Sequence, residues 1–133
     1  MIVVDTNIIA YLLIEGERTA QARALWDIDP DWRAPALWRH EYLNVLATFV
    51  RQGGATLADA AALWRRAADL LGASESEVDM LAALDLAVQH KISAYDAQYI
   101  VLARRLGAAC VTEDMELLGA FPAVAATMET YCA

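Results

Sequence analysis

Lysine occurs once in these 133 residues, at Lys91, and cysteine and histidine twice each, at Cys110, Cys132, His40 and His90. So few thiols and imidazoles, widely scattered, form no zinc-type Cys/His pattern. Both cysteines read as free thiols, Cys110 within a buried strand, because a disulfide is not the default in a reducing compartment. No apolar run approaches the roughly 18 residues that a membrane-spanning helix needs. The start, Met1-Ile2-Val3-Val4-Asp5, lacks the basic stretch and small-residue cleavage site of a secretion signal, so the expected location is the cytoplasm, with no membrane partner. Internal repeats, low-complexity stretches and linkers are also missing. Basic residues are few: ten stand against eighteen acids, a net charge of −8, which excludes a general electrostatic binder of nucleic acid. Any contact with a nucleic acid then depends on a local basic patch, on a bound metal, or on both.

What is abundant is apolar. At 59% hydrophobic and 21% charged residues the chain is no disordered segment, and its length suits one domain over residues 1–133. Ile2-Val3-Val4 reads as a buried strand, and Asp5-Thr6-Asn7 as a strand-to-helix turn built from good capping residues. Helices are expected over 8–13, 17–26, 37–51, 57–71, 79–90 and 95–106. Gly53-Gly54, Gly72 and Gly107 act as stops, and Thr56 as a cap. Brief strands are expected over 32–34, 74–78, 108–112 and 124–128, with a helical turn over 114–118. Short strands alternating with helices imply a parallel sheet covered on both faces, a three-layer α/β/α domain.

In open α/β sheets the chemistry gathers outside the carboxyl ends of the strands. Asp5 directly follows the first strand, Asp114 lies just past the strand ending at Thr112, and Asp96 opens the helix ahead of that strand. Glu41 lies inside a helix, but Leu37, Asn44 and Val45 lie one turn away, which puts it near the buried side. Each acid alone has a plainer reading: Asp5 and Asp114 as helix caps, Asp96 as part of a capping box after Ser93, Glu41 as a solvated surface group. Together they make a different kind of sense. Carboxylates converging in one cleft repel one another unless a cation joins them, and oxygen-only donors suit a hard divalent ion such as Mg²⁺ rather than zinc.

Four segments carry a resemblance. They are Ile2-Val3-Val4-Asp5-Thr6-Asn7, Pro35 to Leu46 with its helical Glu41, Tyr95-Asp96-Ala97-Gln98-Tyr99-Ile100-Val101-Leu102-Ala103, and Thr112-Glu113-Asp114. In this order and at these separations they resemble the PIN domain, most closely the toxins of VapBC toxin–antitoxin systems, over essentially the whole chain. The resemblance implies a nuclease in which Asp5, Asp96 and Asp114 hold Mg²⁺ or Mn²⁺ and Glu41 completes the acidic site. Thr6, Asn7 and Thr112 would orient the acids by hydrogen bonds. It further implies hydrolysis of single-stranded or loop RNA by metal-activated water, which needs no side-chain nucleophile. The implied partners are the RNA substrate, a cognate VapB-like antitoxin protein and a second copy in a homodimer.

Among the few cations, Arg39, Lys91 and Arg104 stand as candidate RNA contacts, and Glu116 as a reserve for Asp114 in the crowded Glu113–Glu116 loop. Three alternatives stand beside the ribonuclease: a module of the same fold that binds RNA or metal without turnover, a nuclease directed at DNA, and a receiver-type phospho-switch. The switch needs a lysine near the C-terminal strands, and leaves Glu41 without a role.

Overall fold

The computed structural model describes residues 1–133. Its centre is β1, Ile2–Val4, whose three side chains are completely buried. Ile2 and Val4 join an apolar cluster on one face of the sheet, and Val3 joins a second cluster on the other. That division is the two-residue alternation of a strand, with both faces covered. Full burial contributes roughly 1.5–3 kcal/mol for each such side chain, so this short segment is a strong anchor.

From β1 the chain runs through α1 (Thr6–Leu13) and α2 (Thr19–Ile28) to β2 (Trp32–Pro35). It continues through α3 (Trp38–Arg51) and α4 (Leu57–Leu71) to β3 (Glu75–Ser76), and through α5 (Met80–His90) and α6 (Ala94–Leu106) to β4 (Cys110–Val111). The last elements are α7 (Met115–Ala120), β5 (Ala125–Ala126) and α8 (Met128–Cys132). All strand pairs are parallel, in the order β3-β2-β1-β4-β5. Helices α1–α4 and α8 supply the cluster around Ile2 and Val4, whereas α5, α6 and α7 supply the one around Val3. The three-layer α/β/α arrangement follows from this split. No helix is long and apolar enough to cross a membrane.

The strand order has a consequence for chemistry. From β1 the chain moves first to β2 and β3 on one side, then returns to β4 and β5 on the other. The carboxyl ends of β1 and β4 therefore flank a switch point, where the connections diverge and leave a crevice.

Expected and observed elements differ mainly at the ends. The strand expected over 74–78 shrinks to Glu75–Ser76, because Gly72–Ser74 close a 3₁₀ turn directly after α4. The strand expected over 124–128 shrinks to Ala125–Ala126, and the chain turns into α8 instead. Thr127 starts α8, its hydroxyl accepting from the Thr130 amide at 3.0 Å, while buried Met128 joins the core. A helix of five residues is too short to leave a periodic signal; its packing sustains it.

Candidate active site

Asp5 follows β1 and caps α1, its Oδ1 accepting from the Ile8 amide at 3.3 Å. Its Oδ2 accepts from the hydroxyl of Thr112, the first residue after β4. Thr112 is fully buried, and its oxygen accepts in turn from the Asp114 amide at 3.0 Å. Asp114 then caps α7, with Oδ1 accepting from the amides of Glu116 (2.9 Å) and Leu117 (3.2 Å). Asp96 stands in the first turn of α6, where its amide donates to Ser93 Oγ at 3.0 Å.

Glu41 lies in the first turn of α3 and faces inward. Its Oε1 accepts from Thr6 Oγ1 at 3.0 Å and from the Tyr99 hydroxyl at 2.6 Å. Thr6 and Tyr99 are themselves 2.7 Å apart. Asp5, Glu41, Asp96 and Asp114, with Thr6, Asn7, Asn44, Val45 and Tyr99, line one cleft of about 250 Å³. The four acids named from the sequence thus meet at the crevice between β1 and β4.

No lysine, arginine or histidine lines this cleft. Burial pushes the Asp5 carboxyl up to about 6, helped by the Glu41 charge and opposed by the hydrogen bonds from Thr112, Ile8 and Asn7. Burial also raises Asp96, and the charges of Asp114, Glu41 and Glu116 add to the shift. The site holds more negative charge than its own hydrogen bonds balance, and a cation would relieve it. No three of its acids stand close enough together to form a ready-made cage for a metal ion. Asp5 and Asp114 each commit an oxygen to helix capping.

The neighbouring acids are sorted by their contacts. Glu113 pairs with Arg18 at 3.4 Å and accepts from the Met128 amide at 3.4 Å, and it does not line the cleft. Glu116 is exposed and likewise outside the walls.

None of Arg39, Lys91 and Arg104 lines the cleft. Arg39 donates to Glu75 and lies over the Trp38 ring at 5.3 Å. Arg104 lies over Phe121 at 5.3 Å, beside a separate depression that it shares with Asp79, Asp85 and Arg105. Lys91 ends α5 in the left-handed conformation, exposed. Without a lysine in the cleft, a receiver-type phospho-switch lacks its phosphoryl-binding group. Asn7 stands on the rim, in the wall between this cleft and a groove of about 570 Å³ that Tyr11 and Arg18 also line.

Tyr99 is the site residue that sequence reasoning leaves without a role. Its signal is its position, three residues after Asp96 and so on the same side of α6. In an apolar run such as Tyr99-Ile100-Val101-Leu102, a tyrosine reads first as core. Asn44 bears the same relation to Glu41 on α3.

Comparison with known proteins agrees with this fold. The PIN domain family model matches residues 2–121. The chain is 32% identical over 127 residues to Ribonuclease VapC3 of Pyrobaculum aerophilum, covering 92% of this chain and 96% of that one. Its fold matches the crystal structure of PAE2754 from Pyrobaculum aerophilum with a TM-score of 0.78, at 24% identity, over 98% of this chain and 92% of that one. With a matching fold, four acids converging where that fold leaves a crevice, and a near full-length relative, this chain belongs to the PIN-domain family, in its VapC-type branch.

Proposed function

We propose that residues 1–133 act as a single-domain, Mg²⁺- or Mn²⁺-dependent endoribonuclease toxin that cleaves single-stranded or loop RNA. The observation that carries this reading is the convergence of Asp5, Glu41, Asp96 and Asp114 in one cleft that no side-chain cation lines. A relative named as a ribonuclease over nearly the same length supports it.

The donor set fits a hard divalent ion: carboxylate oxygens flanked by threonine and asparagine, with no thiol or imidazole. Asp5, Asp96 and Asp114 would hold the ion, some of them through water, and the ion would supply Lewis acidity towards a phosphodiester and lower the pKa of water. The chain's own residues do the rest. Thr112 keeps one oxygen of Asp5 in place, and Thr6 with Tyr99 keeps one oxygen of Glu41 in place. The remaining Glu41 oxygen is free to accept a proton from a water that attacks phosphorus, while the bond from phosphorus to the 3′-oxygen breaks and that oxygen leaves as a hydroxyl with a proton from solvent. Asn7 and Asn44, exposed on the rim, offer amide groups to a phosphate or a base edge.

A cognate VapB-like antitoxin and a homodimer complete the proposal. An apolar groove of about 520 Å³ between α3 and α4, lined by Leu43, Val50, Leu57 and Trp64, supports an amphipathic helical partner. Met80, Leu81, Leu84 and Val88 form an exposed apolar stripe on α5, which supports self-association.

The test is incubation of partner-free protein with a pool of structured RNAs, with Mg²⁺ or Mn²⁺ and then EDTA, beside Asp5→Asn and Asp96→Asn. Discrete fragments that vanish with EDTA and in both variants are expected. RNA bound but left intact by folded, metal-loaded protein would instead point to a binding module.

A further inference from the structure

We infer that Tyr99 is a positioning residue for Glu41: its buried hydroxyl fixes the carboxylate so that a single oxygen faces the cleft. The inference rests on the nuclease reading for its consequence, but on geometry alone for the contact.

Tyr99 is 1% exposed, and its hydroxyl meets only two oxygens, Glu41 Oε1 at 2.6 Å and Thr6 Oγ1 at 2.7 Å. Three oxygens in mutual contact share the two protons that the hydroxyls bring. Glu41 can only accept when ionised, so the short contact takes the tyrosine proton. The threonine proton then goes either to Glu41 at 3.0 Å or to Tyr99. In either arrangement Tyr99 bonds Glu41 directly, while Thr6 has a second choice. Whichever arrangement holds, the contacts fall on Oε1, and no hydrogen bond reaches Oε2.

The brace also links two helices. Asp96 and Tyr99 sit on one side of α6, so the helix that carries one acid of the cleft also carries the anchor for another on α3. A glutamate has three side-chain torsions to immobilise, and a buried phenol on a packed helix is a stiff anchor for them. Ring packing explains why position 99 is large and apolar. It does not explain why the oxygen points at a carboxylate.

The test is Tyr99→Phe in the full chain, which removes one oxygen and keeps the ring. Its crystal structure reports the Glu41 carboxylate directly, without any assay. Cleavage kinetics on an RNA that the wild type cuts, with and without Glu41→Gln, report the consequence. Expected are a displaced or multiply placed Glu41, a kcat lower by about 10- to 100-fold with KM within about twofold, and no further loss when Tyr99→Phe is added to Glu41→Gln. A Glu41 carboxylate unmoved in Tyr99→Phe would overturn the inference, as would an equal loss of kcat in the Glu41→Gln background. If the wild type cuts no RNA, the nuclease reading fails, whereas the crystallographic arm still decides the role of Tyr99.

Discussion

Thr112 accepts the Asp114 amide proton at 3.0 Å, which leaves its own hydroxyl proton for Asp5. One buried side chain at the end of β4 thus sets the direction of a carboxylate at the end of β1. The loop that carries Asp114 sets the direction of that hydroxyl.

Thr112→Val keeps the shape and removes both bonds. The Asp114 amide loses its acceptor, and Asp5 loses its one side-chain donor. A stability loss of about 1–3 kcal/mol is expected in urea unfolding, with cleavage reduced at least tenfold. Wild-type stability and cleavage in this variant would show that the Thr112–Asp5 contact is dispensable.

The position of Asp5 makes the metal-free protein pH-sensitive in a particular direction. Its carboxyl is raised from 3.8 to about 6, so the folded state holds this proton more tightly than the unfolded state. The resulting stabilisation is present below about pH 4 and is lost as pH rises through about 6. The difference amounts to roughly 3 kcal/mol. Asp29 and Asp31, which are held low by the N-terminus and Arg33, act in the opposite sense. Asp5→Asn isolates the effect. Thermal melts without metal should show the wild type gaining less than Asp5→Asn, or losing more, between pH 4 and 7. Mg²⁺ should stabilise the wild type more at pH 7.5 than at pH 5.

Asp96 carries a site's conflict between stability and activity. Burial and the charges of Asp114, Glu41 and Glu116 all oppose its ionisation. Asp96→Asn should raise the metal-free melting temperature at pH 7.5 while lowering cleavage by at least 100-fold. A melting temperature that falls would show that the four acids do not strain the fold.

Lys91 adopts φ 54° at the end of α5, a conformation that glycine occupies without the Cβ penalty. Lys91→Gly should stabilise the protein by about 0.5–1 kcal/mol in chemical denaturation. If the lysine also meets RNA, the same variant should weaken RNA binding and flatten its salt dependence.

Much of this architecture is legible in the residues themselves. The buried run Ile2-Val3-Val4, the stop at Gly107 and the cap at Thr56 work within a few positions of chain, so short-range rules find them. The strand at Glu75–Ser76 and the helix at Met128–Cys132 are too short for such rules. They exist because a neighbouring strand, or the core around Met128, is there to receive them.

The acids divide along the same line. Asp5, Asp96 and Asp114 are recognisable because each sits at a junction between elements, where local chemistry and the carboxyl-end rule coincide. Whether they share a cleft depends on the order β3-β2-β1-β4-β5, which brings residues 5 and 112 together across more than a hundred positions. The same holds for Tyr99 and Glu41, which meet only because α3 and α6 pack on opposite faces of the sheet and reach the same edge. Sequence by itself determined the elements, the two-faced sheet and the acidic character of its edge, through hydrophobic period, caps and charge. Tertiary structure alone decided which acid receives a hydroxyl from a distant part of the chain, and that the arginines stay away from the cleft. Those outcomes are set by long-range packing, for which local sequence carries no signal.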